Sequence, residues 1–219
     1  MPLRLFYGGT FDPVHNAHLA IARAAADALA VPVAMMPAAD PPHRAAPGAS
    51  AEQRARMLAL AIAGDSRLQL DLRELERARR QPGRPSWTVD TLRELRASCG
   101  PAQPLALLIG GDSLAGLGTW HEWEALFDLA HLVVVARPGS ALEQGQDPVL
   151  ERRLAPAWTT DPRDLQAAPG GRVWRLPQPL RAESATAVRA AIAAGGNWRA
   201  QVPAAVAAFI VEHGLYGAA

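Results

Sequence analysis

The sequence predicts an α/β fold in which helices cover both faces of a parallel sheet. Short apolar runs alternate with helix-patterned segments along the chain, which is the signature of repeated strand–helix–strand units. LALLIG (105–110) and LVVVA (132–136) are apolar without alternation, as strands buried on both sides are. The composition, 49% hydrophobic and 20% charged, is that of an ordinary globular chain able to build such a core.

Taken in order, the predicted strands are Leu3 to Tyr7, Val31 to Met36, Leu68 to Leu72, Leu105 to Ile109, Leu132 to Ala136 and Val173 to Leu176. Helical patterns fill 17–30, 51–63, 88–98, 120–129, 185–194 and 203–213. Proline-rich PAADPPHRAAPGAS (37–50) and RPGSALEQGQDP (137–148) read as loops. Neither an internal repeat nor a linker between two cores is visible, so the 219 residues are expected to form a single domain, 1–219. Ligands in such sheets bind beyond the carboxyl ends of the strands, and the segments 8–16, 37–50, 110–120 and 177–186 are expected to converge there.

A net charge of +1 gives no electrostatic reason to expect nucleic acid or an anionic membrane as partner. All 22 basic residues are arginine. Cys99 is the one cysteine, which excludes an internal disulfide and suits a reducing compartment. The opening apolar run is too short for a signal peptide, and no stretch nears the ~18 apolar residues of a membrane span. A cytoplasmic protein is expected, and the sequence leaves a homo-oligomer open.

The common phosphate signatures fail. A Walker A loop requires lysine, which the chain lacks. Gly8 and Gly9 are adjacent rather than spaced as a dinucleotide fingerprint, and GLGTWH (116–121) lacks the third glycine. GDSLAG (111–116) has Ala115 where a serine-hydrolase elbow needs glycine.

What remains is LFYGGTFDPVHNAHL (5–19), where His15 and His18 open a helix. A helix start presents unpaired N–H groups and the positive end of its dipole, so imidazoles gathered there suit an anionic ligand. Gly8 and Gly9 remove Cβ atoms where backbone amides approach that ligand. The segment GGTFDPVHNAH resembles the nucleotidylyltransferase superfamily signature (S/T)FDPxHxGH, with Gly8, Gly9, Thr10, Phe11, Asp12, Pro13, His15 and His18 in place and Ala17 standing for the usual glycine.

Five further segments resemble the bacterial nicotinate-nucleotide adenylyltransferase family or its superfamily, in order along 5–216. PPHR (41–44) is similar to its PPH(K/R) and implies that Arg44 grips a substrate phosphate, as a guanidinium can do bidentately. PSWTVDTL (85–92) and IGGDSLAGLGTWHEW (109–123) resemble PSYTxxTL and IGxDxLxxLxxWxxW. They imply that Trp120 stacks on a nicotinate ring, that Thr88 and nearby amides hold the ring carboxylate, that His121 belongs to the acceptor site, and that Asp112 lies near the nucleotides. For Trp123, core packing on a helix is an equal alternative. ESATAVRAAI (183–192) looks like the superfamily's (I)S(S/A)TxxR, with Ser184, Thr186 and Arg189 in register and Glu183 where an apolar residue is usual. Ser184 suits an N-cap that organises amides for phosphate, with Arg189 adding a cation. FIVEHGLY (209–216) resembles the family's ending, a buried helix without a catalytic part.

The resemblance implies a Rossmann-like, doubly wound parallel sheet of the nucleotidylyltransferase type. It implies adenylyl transfer from ATP to nicotinate mononucleotide, with His15, His18 and Arg44 catalytic. ATP would be bound by Gly8, Gly9, Thr10, Phe11, both histidines, Asp112, Ser184, Thr186 and Arg189. Mg²⁺ would enter with ATP, held by phosphates and water rather than by protein ligands. The alternatives are an adenylyltransferase for a related acceptor such as nicotinamide mononucleotide or phosphopantetheine, and a non-catalytic nucleotide-binding protein.

Overall fold

A computed structural model describes residues 1–39, 48–136, 147–178 and 183–218. Within them, β1 (Arg4–Gly9), β2 (Val33–Pro37), β3 (Leu68–Leu70), β4 (Leu105–Gly110), β5 (His131–Val135), β6 (Trp158–Thr159) and β7 (Val173–Arg175) form one sheet of order β3-β2-β1-β4-β5-β7-β6. Every strand pairing is parallel. Alternate side chains on these strands enter two different cores, because Cβ direction has period two along a strand. Leu5, Tyr7, Ala106, Leu108, Val133 and Val135 join one cluster, and Phe6, Leu107, Ile109, Leu132 and Val134 the other. This accounts for the unbroken apolar runs in the sequence: each face meets helices.

On the first face pack α1 (Asn16–Leu29), α2 (Ala51–Ile62), α9 (Ala185–Ala193) and α10 (Ala204–Glu212). Alanine at 22, 25 and 26 is buried in α1, which lets that helix lie close to the sheet. On the second face lie α4 (Thr88–Cys99), α5 (Gly111–Ala115), α6 (Leu126–Leu129) and α7 (Pro148–Leu154). Two more helices, α3 (Arg73–Arg80) and α8 (Asp164–Ala167), complete those described.

Several expectations change. A continuous helix over 120–129 does not form: Glu122 adopts φ 48°, and the segment divides into a 3₁₀ turn at Trp123–Ala125 and the short α6. The first strand runs on through both glycines to Gly9, and the second ends at Pro37. Helices α3, α5, α7 and α8 and strand β6 were not anticipated. Pro148 opens α7 instead of closing a loop, with Asp147 Oδ1 accepting from the Val149 amide at 2.7 Å. Arg44 and most of the two expected proline-rich loops, at 40–47 and 137–146, lie outside the described residues, as do 179–182.

The chain winds outward from β1 to β2 and β3, then returns to the other side of β1 with β4. The strand order therefore reverses between β1 and β4, whose carboxyl ends are Gly9 and Gly110. Connections leave there in opposite directions and open a crevice, the usual ligand position of such sheets.

Candidate active site

At the end of β1 the two glycines serve different ends. A Cβ on Gly8, which is exposed, would meet no protein atom within 4 Å, whereas one on Gly9 would lie 3.0 Å from the Phe11 ring. The glycine at 9 thus makes room for an internal ring, and only that at 8 is left bare toward a ligand. Phe11 holds φ 50°, a costly backbone for a bulky residue. Its buried ring sits edge-on to Tyr7 (5.5 Å) and to His18 (5.0 Å). The Phe11 side chain is thus occupied in packing.

The two imidazoles come together at the head of α1. Their rings stack with centroids 3.7 Å apart, His15 buried as the N-cap residue and His18 half-buried beside it. The His15 amide donates to His18 Nδ1 at 3.3 Å. With Nδ1 accepting, a neutral His18 ring carries its proton on Nε2 as a donor.

Asp12 joins this loop to the rest of the crevice. Its carboxylate accepts from the amides of Gly48 (2.8 Å) and Ala49 (3.1 Å) and from the Tyr216 hydroxyl (2.7 Å). Burial and the Asp12 carboxylate push the Tyr216 phenol far up, so it remains a donor. The tyrosine ring also occupies the space that a side chain at 48 would need, 3.0 Å from a Cβ built there. Arg189 Nη1 donates to the Asp12 carbonyl at 2.7 Å and Nη2 to Thr186 Oγ1 at 3.4 Å. Ser184 caps α9 as expected, its Oγ accepting from the Ala187 amide at 3.1 Å. The serine-capped helix start, exposed Thr186 and half-exposed Arg189 are therefore tethered to the glycine–histidine loop, although 171 residues separate His18 from Arg189.

Across the crevice, exposed Asp112 sits in the first turn of α5, directly beyond β4. Thr88 is the first residue of α4, with Trp87 before it. The Trp87 and His121 rings stack at 4.7 Å, and His121 Nε2 lies 3.3 Å from Glu122 Oε1. Trp120 and Trp123 are half-buried against the second core, so packing contributes to both.

Sequence reasoning missed Arg54. It is 1% exposed, and its guanidinium donates to the carbonyls of Thr10 (2.7 Å), Ala38 (2.7 Å), Ala39 (3.0 Å) and Ala49 (3.3 Å). A buried cation is tolerated where its donors are satisfied, and here they pin the turn after β1 to that after β2. Asp12 as a hub, Tyr216 as its partner and Glu74 (below) were missed as well. Arg54 and Glu74 lie on helices where the same residue types at the surface would read the same, whereas Asp12 sits in a turn and Tyr216 in a C-terminal 3₁₀ turn far from it in sequence.

A doubly wound sheet whose first strand ends in a bare turn and a histidine pair defines a nucleotidyltransferase-type site, and a family model described as cytidylyltransferase-like matches residues 6–191. The probable nicotinate-nucleotide adenylyltransferase of Stenotrophomonas maltophilia is 63% identical over 216 residues, 99% of this chain and 97% of that one. That of Xylella fastidiosa strain M12 is 48% identical, covering 98% and 96%. A solved structure of Plasmodium falciparum nicotinic acid mononucleotide adenylyltransferase complexed with NaAD shares the fold, with a TM-score of 0.71 at 16% identity over 99% of this chain and 98% of that one. The chain belongs to the cytidylyltransferase-like family and, within it, to the nicotinate-nucleotide adenylyltransferases.

Proposed function

We infer that the protein transfers the adenylyl group of ATP to nicotinate mononucleotide, giving deamido-NAD and pyrophosphate as a step of NAD biosynthesis. The observation that carries this reading is the tether through Asp12, which gathers the Gly8 turn, the histidine pair, the Ser184 cap and Arg189 at one end of the sheet. Such a cluster suits a polyphosphate: amides and a helix start for its oxygens, imidazole and guanidinium for its charge.

In this reading an oxygen of the mononucleotide phosphate attacks the α-phosphorus of ATP, and the bond from that phosphorus to the bridging oxygen of pyrophosphate breaks. The attacking phosphate is already ionised near neutral pH, so no protein base is required and no covalent enzyme intermediate forms. His15 and His18 stabilise charge as it builds on the departing pyrophosphate, with Ser184, Thr186 and Arg189 around the distal phosphates. Gly8, Gly9, Thr10 and Phe11 line ATP through their backbone, and Asp112 lies beside the nucleotides. Arg44 is assigned to the acceptor phosphate and Thr88, Trp120 and His121 to the nicotinate moiety. The chain works as one domain, 1–219.

Among the described residues no three His, Cys, Asp or Glu side chains gather as a metal cage. Asp112 would offer its carboxylate to the hydration shell of a magnesium ion brought in by ATP. Bound there, the ion would neutralise phosphate charge. Among the described residues no helix is long and apolar enough to cross a membrane, in keeping with a cytoplasmic enzyme acting on soluble substrates.

Pyrophosphate release from ATP and Mg²⁺ across a panel of phosphorylated acceptors tests the reading. The acid mononucleotide is expected to exceed the amide by about 10²-fold or more in kcat/KM, because an amide matches neither the charge nor the acceptor-only edge of a carboxylate. Preference for the amide, or no release with either, would contradict it.

A further inference from the structure

Glu74 has no part in the chemistry described above, yet it is a carboxylate only 8% exposed. Burial pushes its carboxyl up, and an unserved carboxylate at such a position is costly. Its oxygens are served from three directions. Thr91 Oγ1 donates to Oε1 at 2.8 Å, Ser86 Oγ donates to Oε2 at 2.9 Å, and the Ala39 backbone also hydrogen-bonds to it.

The two hydroxyls are fixed from the other side. Arg77 Nη2 donates to Thr91 Oγ1 at 2.7 Å and to Ser86 Oγ at 3.1 Å, while Nη1 pairs with Glu94 at 2.9 Å. Each hydroxyl therefore donates to Glu74 while accepting from Arg77, and Thr91 Oγ1 also lies 3.4 Å from the Trp87 carbonyl, a longer contact to the same turn. Ser86 directly precedes Trp87 and Thr88, and Thr91 lies one helical turn after Trp87. The turn that starts α4 is thereby clamped on both flanks.

The clamp continues toward the glycine loop. Ala39, bonded to Glu74, presents its carbonyl to Arg54 Nη2 at 3.0 Å, and Arg54 Nη1 holds the Thr10 carbonyl at 2.7 Å. An unbroken polar path runs from the start of α4 through Glu74, Ala39 and Arg54 to Thr10. Stability alone does not call for a buried charge here, since a well-packed apolar group of similar volume serves a core as well or better.

We propose that Glu74, with Ser86, Thr91 and Arg77, is a positioning unit that fixes the acceptor-binding turn at Trp87–Thr88 relative to the nucleotide loop. The proposal rests on reading that turn as part of the acceptor site. None of the four touches substrate; they act through Trp87 and Thr88. Misplacing such a turn by a fraction of an ångström weakens acceptor binding while leaving ATP binding intact. A part that merely stabilised the fold would lower the active fraction, moving kcat and neither KM.

Steady-state kinetics with ATP and nicotinate mononucleotide on the parent, Glu74→Gln, Thr91→Val and Thr91→Ser test this. Glu74→Gln and Thr91→Val are each expected to raise the acceptor KM by about tenfold with the ATP KM held within about twofold, whereas Thr91→Ser, which keeps the hydroxyl, returns the acceptor KM to within about threefold of the parent. Thr91→Val removes one hydroxyl at nearly constant volume, so it decides the matter if Glu74→Gln does not fold. Unchanged acceptor KM in Thr91→Val beside a fully active parent overturns the proposal alone. A parent that does not turn over this acceptor overturns the reading of the site, and the proposal with it.

Discussion

A methyl group added at Gly9 presses on the Phe11 ring at 3.0 Å, and one added at Gly8 meets only open space. Gly9→Ala is therefore expected to lower unfolding stability by about 1–3 kcal/mol, the usual cost of overpacking, with Gly8→Ala close to the parent. Gly8→Ala is expected instead to raise the ATP KM, since the methyl would stand where the proposed mechanism brings in the nucleotide. Denaturant melts and ATP titrations of the two variants separate these effects, and a reversed pattern would show that the nucleotide lies elsewhere. His18→Ala is expected to lower kcat by about 10²-fold with ATP, because losing one preorganised donor costs ~3 kcal/mol of transition-state stabilisation. Near-normal turnover would remove the histidine from the chemistry. The opening loop was legible at this scale because glycine, proline and histidine have few other reasons to occur together. Asp12 and Tyr216 were not, since they meet across 204 residues of chain. Arg54 was hidden in QRARM, where nothing distinguishes it from exposed Arg56.

Elements were read well where hydrophobic pattern set them and poorly where something else did. β4 and β5 are unbroken apolar runs and appeared within a residue of their expected bounds. α3 (RELERARR) buries only Glu74 and Leu75, so no apolar stripe announced it, and its charged network holds it instead. β6 has two residues, too few for periodicity. The predicted 120–129 helix failed because Glu122 takes a left-handed conformation while binding Arg93. At α9, Ser184→Ala removes the cap and is expected to cost about 1 kcal/mol in urea unfolding, with a rise in ATP KM as the helix start loosens. At β5, His131 is fully buried: Nε2 donates to the Ala168 carbonyl at 2.8 Å, and Nδ1 accepts from the Arg172 amide at 3.0 Å. Burial holds this imidazole below its ordinary 6.5. The folded state then binds fewer protons than the unfolded one, so its stabilisation is complete above 6.5 and is lost as pH falls toward the lower folded value. Urea midpoints are expected to fall between about pH 7.5 and pH 5.5, and less so in His131→Asn, which cannot titrate. An equal fall in that variant would assign the acid sensitivity to other groups.

For the whole molecule, the sheet order turns scattered motifs into one site. β1 and β4 are neighbours although about a hundred residues separate them in sequence, so the loop after β1 and the turn after β4 face the same crevice. The alternation of strands and helices made this architecture readable, and the position of the crevice follows from the reversal of strand order. The link between the loop after β1 and the start of α4 was not readable, because buried hydrogen bonds through Arg54 and Glu74 make it rather than any local pattern. In the mechanism we propose, both substrates are held together there, and a phosphate oxygen of one meets the α-phosphorus of the other without help from an enzyme nucleophile. The stereochemical course at that phosphorus tests this most directly, using ATP whose α-phosphate is made chiral with sulfur. A single in-line displacement predicts inversion in the dinucleotide product; retention would reveal a covalent adenylyl-enzyme and contradict the account.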